Sequence, residues 1–303
     1  MTIAGQSKLE RWQDLLSGSQ TVMADGAMGT MLFGEGLEFG DPPELWNLAH
    51  PDIIRRVHRG YLDAGSSIVL TNTFGGTRFR MSLHGQESRV GEINRTAAIL
   101  LRSEVDASGA NALVAGDMGP SGQIMSPLGT LDAEEAIDGF AEQAAALAAG
   151  GVDVLWIETM SDLAEIRAAI SGAKQAAPDL PVIATMTFDT RGRTMFGVTP
   201  AQAAESLLEW GADAIGGNCG NGPDELVPVV AQMHETAPDA VIVAKSNAGI
   251  PELVDFRTVY RAGPEEMAAR ALEFRDAGAR IIGACCGSTP EHLRRMREVL
   301  ASA

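Results

Sequence analysis

Eight short apolar runs alternate along the chain with longer segments in which apolar residues recur at a helical spacing. Each run is five to eight residues long and rich in residues typical of buried parallel strands. The runs occupy residues 21–25, 67–72, 112–117, 152–158, 181–188, 212–218, 240–246 and 279–285. Between them, segments such as 51–65 and 131–151 end in Ala-Gly or Gly-Gly, a typical helix stop.

This alternation predicts an α/β fold, a single (β/α)8 TIM barrel that forms one domain over residues 1–303. A doubly wound open sheet would contain similar units. However, no G-x-G-x-x-G motif follows the first run, and eight regular units favour a closed barrel. The chain shows no linker, charge block or low-complexity segment that would mark a second domain.

Composition and charge narrow the classes of partner. The net charge of −17 argues against a nucleic-acid partner and against docking on anionic lipid, because both are negatively charged. No apolar run approaches the roughly 20 residues that a membrane span needs. The N-terminal sequence lacks the apolar core of a signal peptide. We therefore expect a cytoplasmic protein with reduced thiols, and an oligomer is compatible with the sequence.

All three cysteines stand at predicted strand ends. Cys219 closes the sixth strand, and Cys285 and Cys286 close the eighth. The active sites of such barrels lie at the C-terminal strand ends, so the three thiols should converge at the barrel mouth. Three soft thiolates favour zinc, and the five histidines all lie away from the strand ends, which leaves a fourth position open.

The cysteines also fit two simpler roles. A free cysteine is often a small buried apolar residue, and two adjacent cysteines suggest a redox pair. Adjacent cysteines rarely form a bridge without strain, and no C-x-x-C motif is present. A zinc ion with three thiolates is poorly suited to making hydroxide, but it can hold an incoming thiol as a thiolate. Such a thiolate can attack an electrophilic carbon, and methyl transfer is the commonest reaction of this kind.

Five motifs add a family resemblance to this chemistry. They are "DGAMGT" (25–30), "TNTFGG" (71–76), "WIET" (156–159), "GGNCG" (216–220) and "GACCG" (283–287). With them the chain, from about residue 12 to its C-terminus, resembles the zinc-dependent homocysteine S-methyltransferases. These include betaine–homocysteine methyltransferase and the homocysteine-binding module of cobalamin-dependent methionine synthase. The resemblance implies a methyltransferase that makes methionine, with zinc bound by the three cysteines.

The resemblance also implies a substrate site at the first and fourth strand ends. Asp25 and Glu158 are carboxylates suited to the ammonium group of homocysteine, and the backbone N–H groups of Gly26 and Ala27 are suited to its carboxylate. Asn218, beside the first cysteine, is expected to position the thiol or the metal site. The alternatives are turn residues for Asp25 and Asn218 and an outward surface charge for Glu158.

The methyl donor is less clearly indicated. A quaternary ammonium donor such as betaine is held by an aromatic cage, for which Trp46 and Phe74 are candidates, although Trp46 also fits packing at a helix start. We expect betaine or a similar onium compound, with sulfonium betaines and S-methylmethionine also open. The alternative is a stand-alone homocysteine module that takes its methyl group from a corrinoid protein. A third alternative is a zinc-stabilised binding module without catalysis.

Overall fold

The apolar runs form parallel strands, which confirms the predicted (β/α)8 barrel. The computed structural model describes residues 6–254 and 257–302. The barrel strands are β1 (Val22–Met23), β2 (Ile68–Leu70), β3 (Leu113–Met118), β4 (Val154–Met160), β5 (Val182–Met186), β6 (Ala214–Cys219), β7 (Ile242–Ser246) and β10 (Ala279–Ala284). A short antiparallel hairpin, β8 (Glu252–Val254) and β9 (Arg257–Val259), follows β7 and was not predicted.

Helices surround these strands and cover one end of the barrel. They are α1 (Lys8–Leu16), α2 (Gly29–Gly34), α3 (Trp46–Ala49), α4 (Pro51–Ala64), α5 (Arg78–Ser82), α6 (Val90–Ser108), α7 (Ala133–Ala149), α8 (Leu163–Ala176), α9 (Pro200–Glu209), α10 (Pro223–Thr236), α11 (Pro264–Asp276) and α12 (Pro290–Ser302). Helix α4 ends at the predicted stop, where Gly65 takes a left-handed φ of 95°. In the part of the chain that the structure describes, no helix has the length and apolar character needed to cross a membrane.

The sheet closes between its first and second strands. Its order is β1-β10-β7-β6-β5-β4-β3-β2, and all neighbouring pairs are parallel. An isolated bridge between Ala24 and Ile68 joins the two outer strands. Because every strand runs in the same direction, all strand C-termini open on one face, where the predicted site residues lie.

Two apolar layers stabilise the barrel. The larger one lies between strands and helices and contains fully buried side chains such as Ile54, Phe140 and Phe274. The smaller one lies inside the barrel, because every second side chain of a strand points inward. Trp156 of β4, the largest fully buried side chain, belongs to this inner layer. Trp156 is therefore a core residue of the barrel.

Helix α1 covers the N-terminal face of the barrel. Its Trp12 is buried against the inner apolar layer. Next to it, the carboxylate of Asp153 is fully buried and pairs with Lys8 and Arg11, each at 2.6 Å, and with Arg102. The buried negative charge is thus neutralised within the protein, as a buried charge requires.

The fourth strand departs from the prediction. It was expected to end at Glu158, but β4 continues to Met160. Its pairing with β5 shifts register between Ile157 and Met160, and Thr159 takes a left-handed φ of 61°, which is rare for a β-branched residue. The extension places Glu158 at a kink in the strand and not at its end.

Candidate active site

A layer of polar side chains lies directly on the C-terminal side of the inner apolar layer. It follows from the two-residue period of the strands, because the residues two positions beyond inward apolar residues also point inward. This polar layer consists of Asp117 (β3), Glu158 (β4), Thr185 (β5), Asn218 (β6) and Lys245 (β7), all buried. Asp117, Glu158 and Lys245 line a cavity of about 370 Å³ together with Asp25 and all three cysteines.

The structure brings the three cysteines together on one wall of this cavity. Their sulfur atoms all lie within 4.8 Å of one another, and the Sγ atoms of Cys219 and Cys285 are 2.7 Å apart. Cys219 ends β6 with a left-handed φ of 57°. Although 66 residues separate it from Cys285 in sequence, the two strand ends lie close together, since only β7 stands between β6 and β10 in the barrel.

A tight turn explains how two adjacent cysteines face the same cavity. The strand β10 ends at Ala284, and the Ser288 N–H and Oγ both donate to the Cys285 carbonyl oxygen, at 3.2 and 2.8 Å. Gly287 closes this turn with a φ of 83°, a conformation that favours glycine. The chain therefore reverses after Cys285, and Cys286 does not point to the opposite side as it would in a regular strand.

The sulfur cluster favours one thiolate. Hydrogen bonds from Cys219 and Cys285 lower the pKa of Cys286 to about 3. The same contacts raise the pKa of Cys219 well above its usual value, and burial adds to this. The cluster therefore carries negative charge that its own thiols share, a set of soft donors suited to a cation such as zinc.

The cavity also contains carboxylates around a buried lysine that was not predicted from the sequence, a group called the carboxylate wall below. Lys245 Nζ donates to Asp25 Oδ1 at 3.0 Å and lies 3.8 Å from Glu158 Oε2. It also lies 5.0 Å from the ring centre of Trp156, which forms a cation–π contact. The second oxygen of Asp25 accepts the Leu70 N–H at 2.7 Å. Asp25 is thus fully engaged within the protein.

Glu158 has a different environment. Its Oε2 is buried and makes no hydrogen bond within the described part of the chain. Burial raises the pKa of Glu158 to about 8; Lys245 opposes the shift, and the negative charges of Cys285 and Asp25 add to it. A cation placed near this oxygen would satisfy it. The predicted alternative of an outward surface charge does not apply, because the side chain points into the barrel.

The predicted carboxylate site at Gly26 and Ala27 is partly occupied by internal contacts. The Ala27 N–H donates to Ser288 Oγ at 3.0 Å, and the Tyr61 hydroxyl donates to the Ala27 carbonyl at 2.6 Å. A side chain at Gly26 would approach Ser288 Oγ to 2.6 Å, so the close approach of these segments requires glycine there. Both residues line the cavity.

Asn218 lies in a buried hydrogen-bond network beside Glu158 and the sulfur cluster. Its Oδ1 accepts the Thr159 N–H and the Thr185 hydroxyl, both at 2.8 Å, and its Nδ2 donates to Thr159 Oγ1 at 2.6 Å. The Thr159 hydroxyl in turn lies 3.9 Å from Cys219 Sγ. Asn218 therefore holds the kink beside Glu158 and, through Thr159, contacts the sulfur cluster.

The aromatic candidates behave differently from each other. Phe74 lines the cavity and is 36% exposed, and Phe33 and Phe39 line it as well. Trp46 is not among the described residues that line the cavity. It packs against the outer apolar layer and against His50, with ring centres 4.5 Å apart. The predicted packing role at a helix start is the one that the structure gives Trp46.

The two-residue period of inward-facing strand positions would have identified Lys245 and Asp117 as site residues. Both stand two residues beyond an inward apolar residue of their strand, at the position where Glu158 stands in β4. Strand ends alone do not reveal them, because the inward period has to be counted as well. The same period also predicts Thr185 and Asn218 as inward-facing residues.

Comparison with known proteins gives one family. The sequence profile of the family described as homocysteine S-methyltransferase matches residues 22–300. A methionine synthase of Mycobacterium tuberculosis (strain ATCC 25618 / H37Rv) is 31% identical over 303 residues, and one of Mycobacterium leprae (strain TN) is 30% identical over 317 residues. These alignments cover 95% and 99% of this chain but 25% and 26% of the relatives. The chain thus spans about a quarter of their length.

A solved structure resembles the fold. The metallated form of the homocysteine methyltransferase MmuM from Escherichia coli superimposes with a TM-score of 0.80, at 22% sequence identity. The match covers 95% of this chain and 99% of that one. At this identity the likeness supports the barrel architecture.

Proposed function

The chain belongs to the homocysteine S-methyltransferase family, and with it to the methyltransferases, and on this premise we propose that it methylates homocysteine at a zinc site to make methionine. One observation carries the proposal. Three cysteine sulfurs within 4.8 Å of one another face a cavity that also contains the buried Glu158 Oε2, which accepts no hydrogen bond from the described residues. Homocysteine has a thiol, which would meet the sulfur cluster, and an ammonium group, which would meet Glu158.

The sulfur cluster fits zinc. Cys219, Cys285 and Cys286 would hold the ion, because three soft sulfur donors on one wall are the ligand type that zinc prefers. Zinc bound there would supply the positive charge that keeps an incoming thiol ionised. The described histidines all lie outside this cluster, and one of them, His84, lines the same cavity.

The other wall recognises the amino acid. Glu158 would accept the ammonium group, since its Oε2 is buried and accepts no hydrogen bond from the described residues. Asp25 holds Lys245 in place and fixes the charge beside Glu158. The N–H of Gly26 would receive the substrate carboxylate, because the Ala27 N–H already donates to Ser288. These contacts would orient the homocysteine sulfur toward the centre of the cavity.

The methyl donor is proposed to be betaine or a similar onium compound. Phe33 and Phe74 line the outer part of the cavity, where an aromatic face stabilises a methylated cation. In the transfer, the homocysteine sulfur supplies the electron pair of the new carbon–sulfur bond. The electrons of the broken carbon–nitrogen bond leave with the tertiary amine. No oxidant or reductant is consumed, so reduced thiols in the cytoplasm suit the reaction.

A corrinoid protein is the second candidate for the donor. The relatives at 30–31% identity are named methionine synthases, and this chain matches about a quarter of each. In this alternative the chain would be a homocysteine module that docks a separate methyl carrier at its open face.

A donor panel separates these proposals. Zinc-loaded protein is incubated with homocysteine and, in parallel, with betaine, dimethylsulfoniopropionate, S-methylmethionine or methylcobalamin, and methionine is measured. We expect methionine with betaine or another onium donor. Product from methylcobalamin alone would favour the corrinoid alternative, and no product with any donor would contradict the proposed reaction. The Cys286→Ala variant serves as the control that lacks a complete sulfur cluster.

A further inference from the structure

Asp117 is a buried carboxylate in the cavity to which neither the family motifs nor the contacts of the two walls give a role. It belongs to the polar layer, on the strand next to Glu158, and is 6% exposed. Its register partner is Trp156, so Asp117 and Glu158 occupy neighbouring strands on the inward side. Its Oδ1 is buried and has no hydrogen-bond partner within the described residues.

The protein fixes this residue firmly through its backbone. The Asp117 N–H donates to Thr71 Oγ1 at 3.0 Å, and its carbonyl accepts the Thr73 hydroxyl at 2.7 Å and Gln143 Nε2 at 3.2 Å. The two threonine hydroxyls are 2.6 Å apart. A buried network therefore holds in place a carboxylate whose own oxygen is left unpaired, which is typical of a site built for a ligand.

The charges around Asp117 do not balance. The carboxylates of Asp25, Asp117 and Glu158 line the cavity with the buried cation Lys245, and the other described cation of the lining, Arg80, is only partly buried and acts on Glu44. Lys245 makes its hydrogen bond with Asp25. Burial and the neighbouring Glu158 raise the pKa of Asp117 well above its usual range. One further positive charge at this point would relieve both unpaired carboxylates.

We propose that Asp117 is a second anchor for the ammonium group of homocysteine, acting together with Glu158. This inference rests on the proposed function, since it assumes homocysteine as the substrate. An ammonium group has three N–H donors, and one carboxylate does not fix its direction. Two carboxylates on neighbouring strands define both its position and its orientation. Asp117 thereby selects an α-amino thiol over a thiol that lacks the amino group.

The test compares two thiols that differ in one group. Calorimetry on the zinc-loaded protein measures the affinity for L-homocysteine and for 4-mercaptobutyrate, which is homocysteine without its amino group. In Asp117→Asn, the affinity for homocysteine should fall about tenfold, because the negative charge that faces the ammonium group is lost. The affinity for 4-mercaptobutyrate should stay the same or rise. The exposed Asp189, outside the cavity, gives the matched control Asp189→Asn, which should change neither affinity.

The outcomes separate this inference from the proposed function. Unchanged homocysteine affinity in Asp117→Asn, or an equal loss for both thiols, would overturn the role of Asp117 alone. A wild-type protein that binds neither thiol would overturn the proposed function and this inference with it. Thermal unfolding tests whether the variant folds, and its midpoint should not fall, because Asn has nearly the same size and Asp117 Oδ1 accepts no hydrogen bond from the described residues. A lower midpoint with an equal loss for both thiols would indicate a structural role.

Discussion

The two ends of the barrel contain buried charge clusters of opposite composition. At the N-terminal face a single carboxylate, Asp153, pairs with three cationic side chains from α1 and α6. At the C-terminal face a buried cation, Lys245, lines a cavity together with the buried carboxylates of Asp25, Asp117 and Glu158. Both clusters lie against the same inner apolar layer, so the difference between them does not come from their depth in the protein.

The difference separates a stabilising cluster from a binding cluster. Burial raises the pKa of Asp153, but Arg102 and the hydrogen bond from Lys8 outweigh it and lower the pKa overall. Glu158 has its pKa raised to about 8, mainly by burial. The protein itself neutralises the first cluster, and it leaves the second one short of a positive charge. A shortage of buried positive charge at the C-terminal face favours the binding of a cationic ligand there.

The largest effect is expected from the sulfur wall of the C-terminal face. In Cys286→Ala, two sulfur ligands remain, and most of the zinc and nearly all methyl transfer should be lost. Metal analysis and a methionine assay measure both quantities. The thermal unfolding midpoint should change little, because the apolar layers do not depend on the sulfurs. Full retention of zinc and activity in this variant would refute the assignment of Cys286 as a ligand.

The next largest effect is expected at Glu158. Glu158→Gln keeps the shape of the side chain and removes the charge that faces the substrate ammonium. Removing one partner of such a pair costs roughly 2–5 kcal/mol, so the affinity for homocysteine should fall about 30-fold or more. Calorimetry measures the affinity, and metal analysis should find zinc unchanged. If the variant binds homocysteine as well as the wild type, Glu158 is not the anchor; if zinc is lost, Glu158 belongs among the metal ligands.

For the cluster around Asp153 we expect a loss of stability and no change in ligand binding. Asp153→Asn leaves three cationic groups without a counter-charge and should lower the free energy of unfolding by about 2 kcal/mol, a value reduced because Lys8 is partly exposed. Homocysteine affinity should stay the same. Chemical denaturation measures the first and calorimetry the second. Because the folded-state pKa of Asp153 is lowered, its contribution is present above the usual value of 3.8 and is lost as the pH falls through the folded-state value.

The affinity for a ligand with an ammonium group should also depend on pH. Glu158, with a pKa of about 8, must lose its proton to bind an ammonium group. The affinity for methionine, which has no thiol to ionise, should therefore rise by up to about tenfold per unit between pH 6 and pH 8. Calorimetry at pH 6, 7 and 8 measures it, and Glu158→Gln should remove the dependence. A wild-type affinity that does not change over this range would contradict an ionised Glu158 in the complex.

The fold and the cluster of three cysteines could be predicted from the sequence, because both follow from the regular alternation of strands and helices. Each barrel strand coincides with an apolar run, and the three cysteines mark strand ends that must meet in a closed barrel. The carboxylate wall was only half predicted. Lys245 and Asp117 each follow an apolar run, and only their inward direction reveals that they share a cavity.

Other details depended on tertiary contacts that no local pattern contains. The extension of β4 past Glu158 requires Asn218, from a strand two positions away, to accept the Thr159 N–H. The engagement of the Ala27 N–H depends on Ser288, which is 261 residues away in sequence. Trp46 illustrates the reverse case, since its aromatic character suggested a ligand contact and its packing against His50 decided otherwise.

The closure of the barrel has a consequence for Asp25. Between β1 and β2 the described backbone makes one bridge, at Ala24 and Ile68, and the Ser67 N–H donates to the Met23 carbonyl. Further along β2, the amide of Leu70 donates to the side chain of Asp25. This carboxylate therefore connects the first and second strands, where the barrel closes, and it also holds Lys245 in the cavity. A substitution of Asp25 would therefore remove a contact across the closure of the barrel and, at the same time, the hydrogen bond to Lys245.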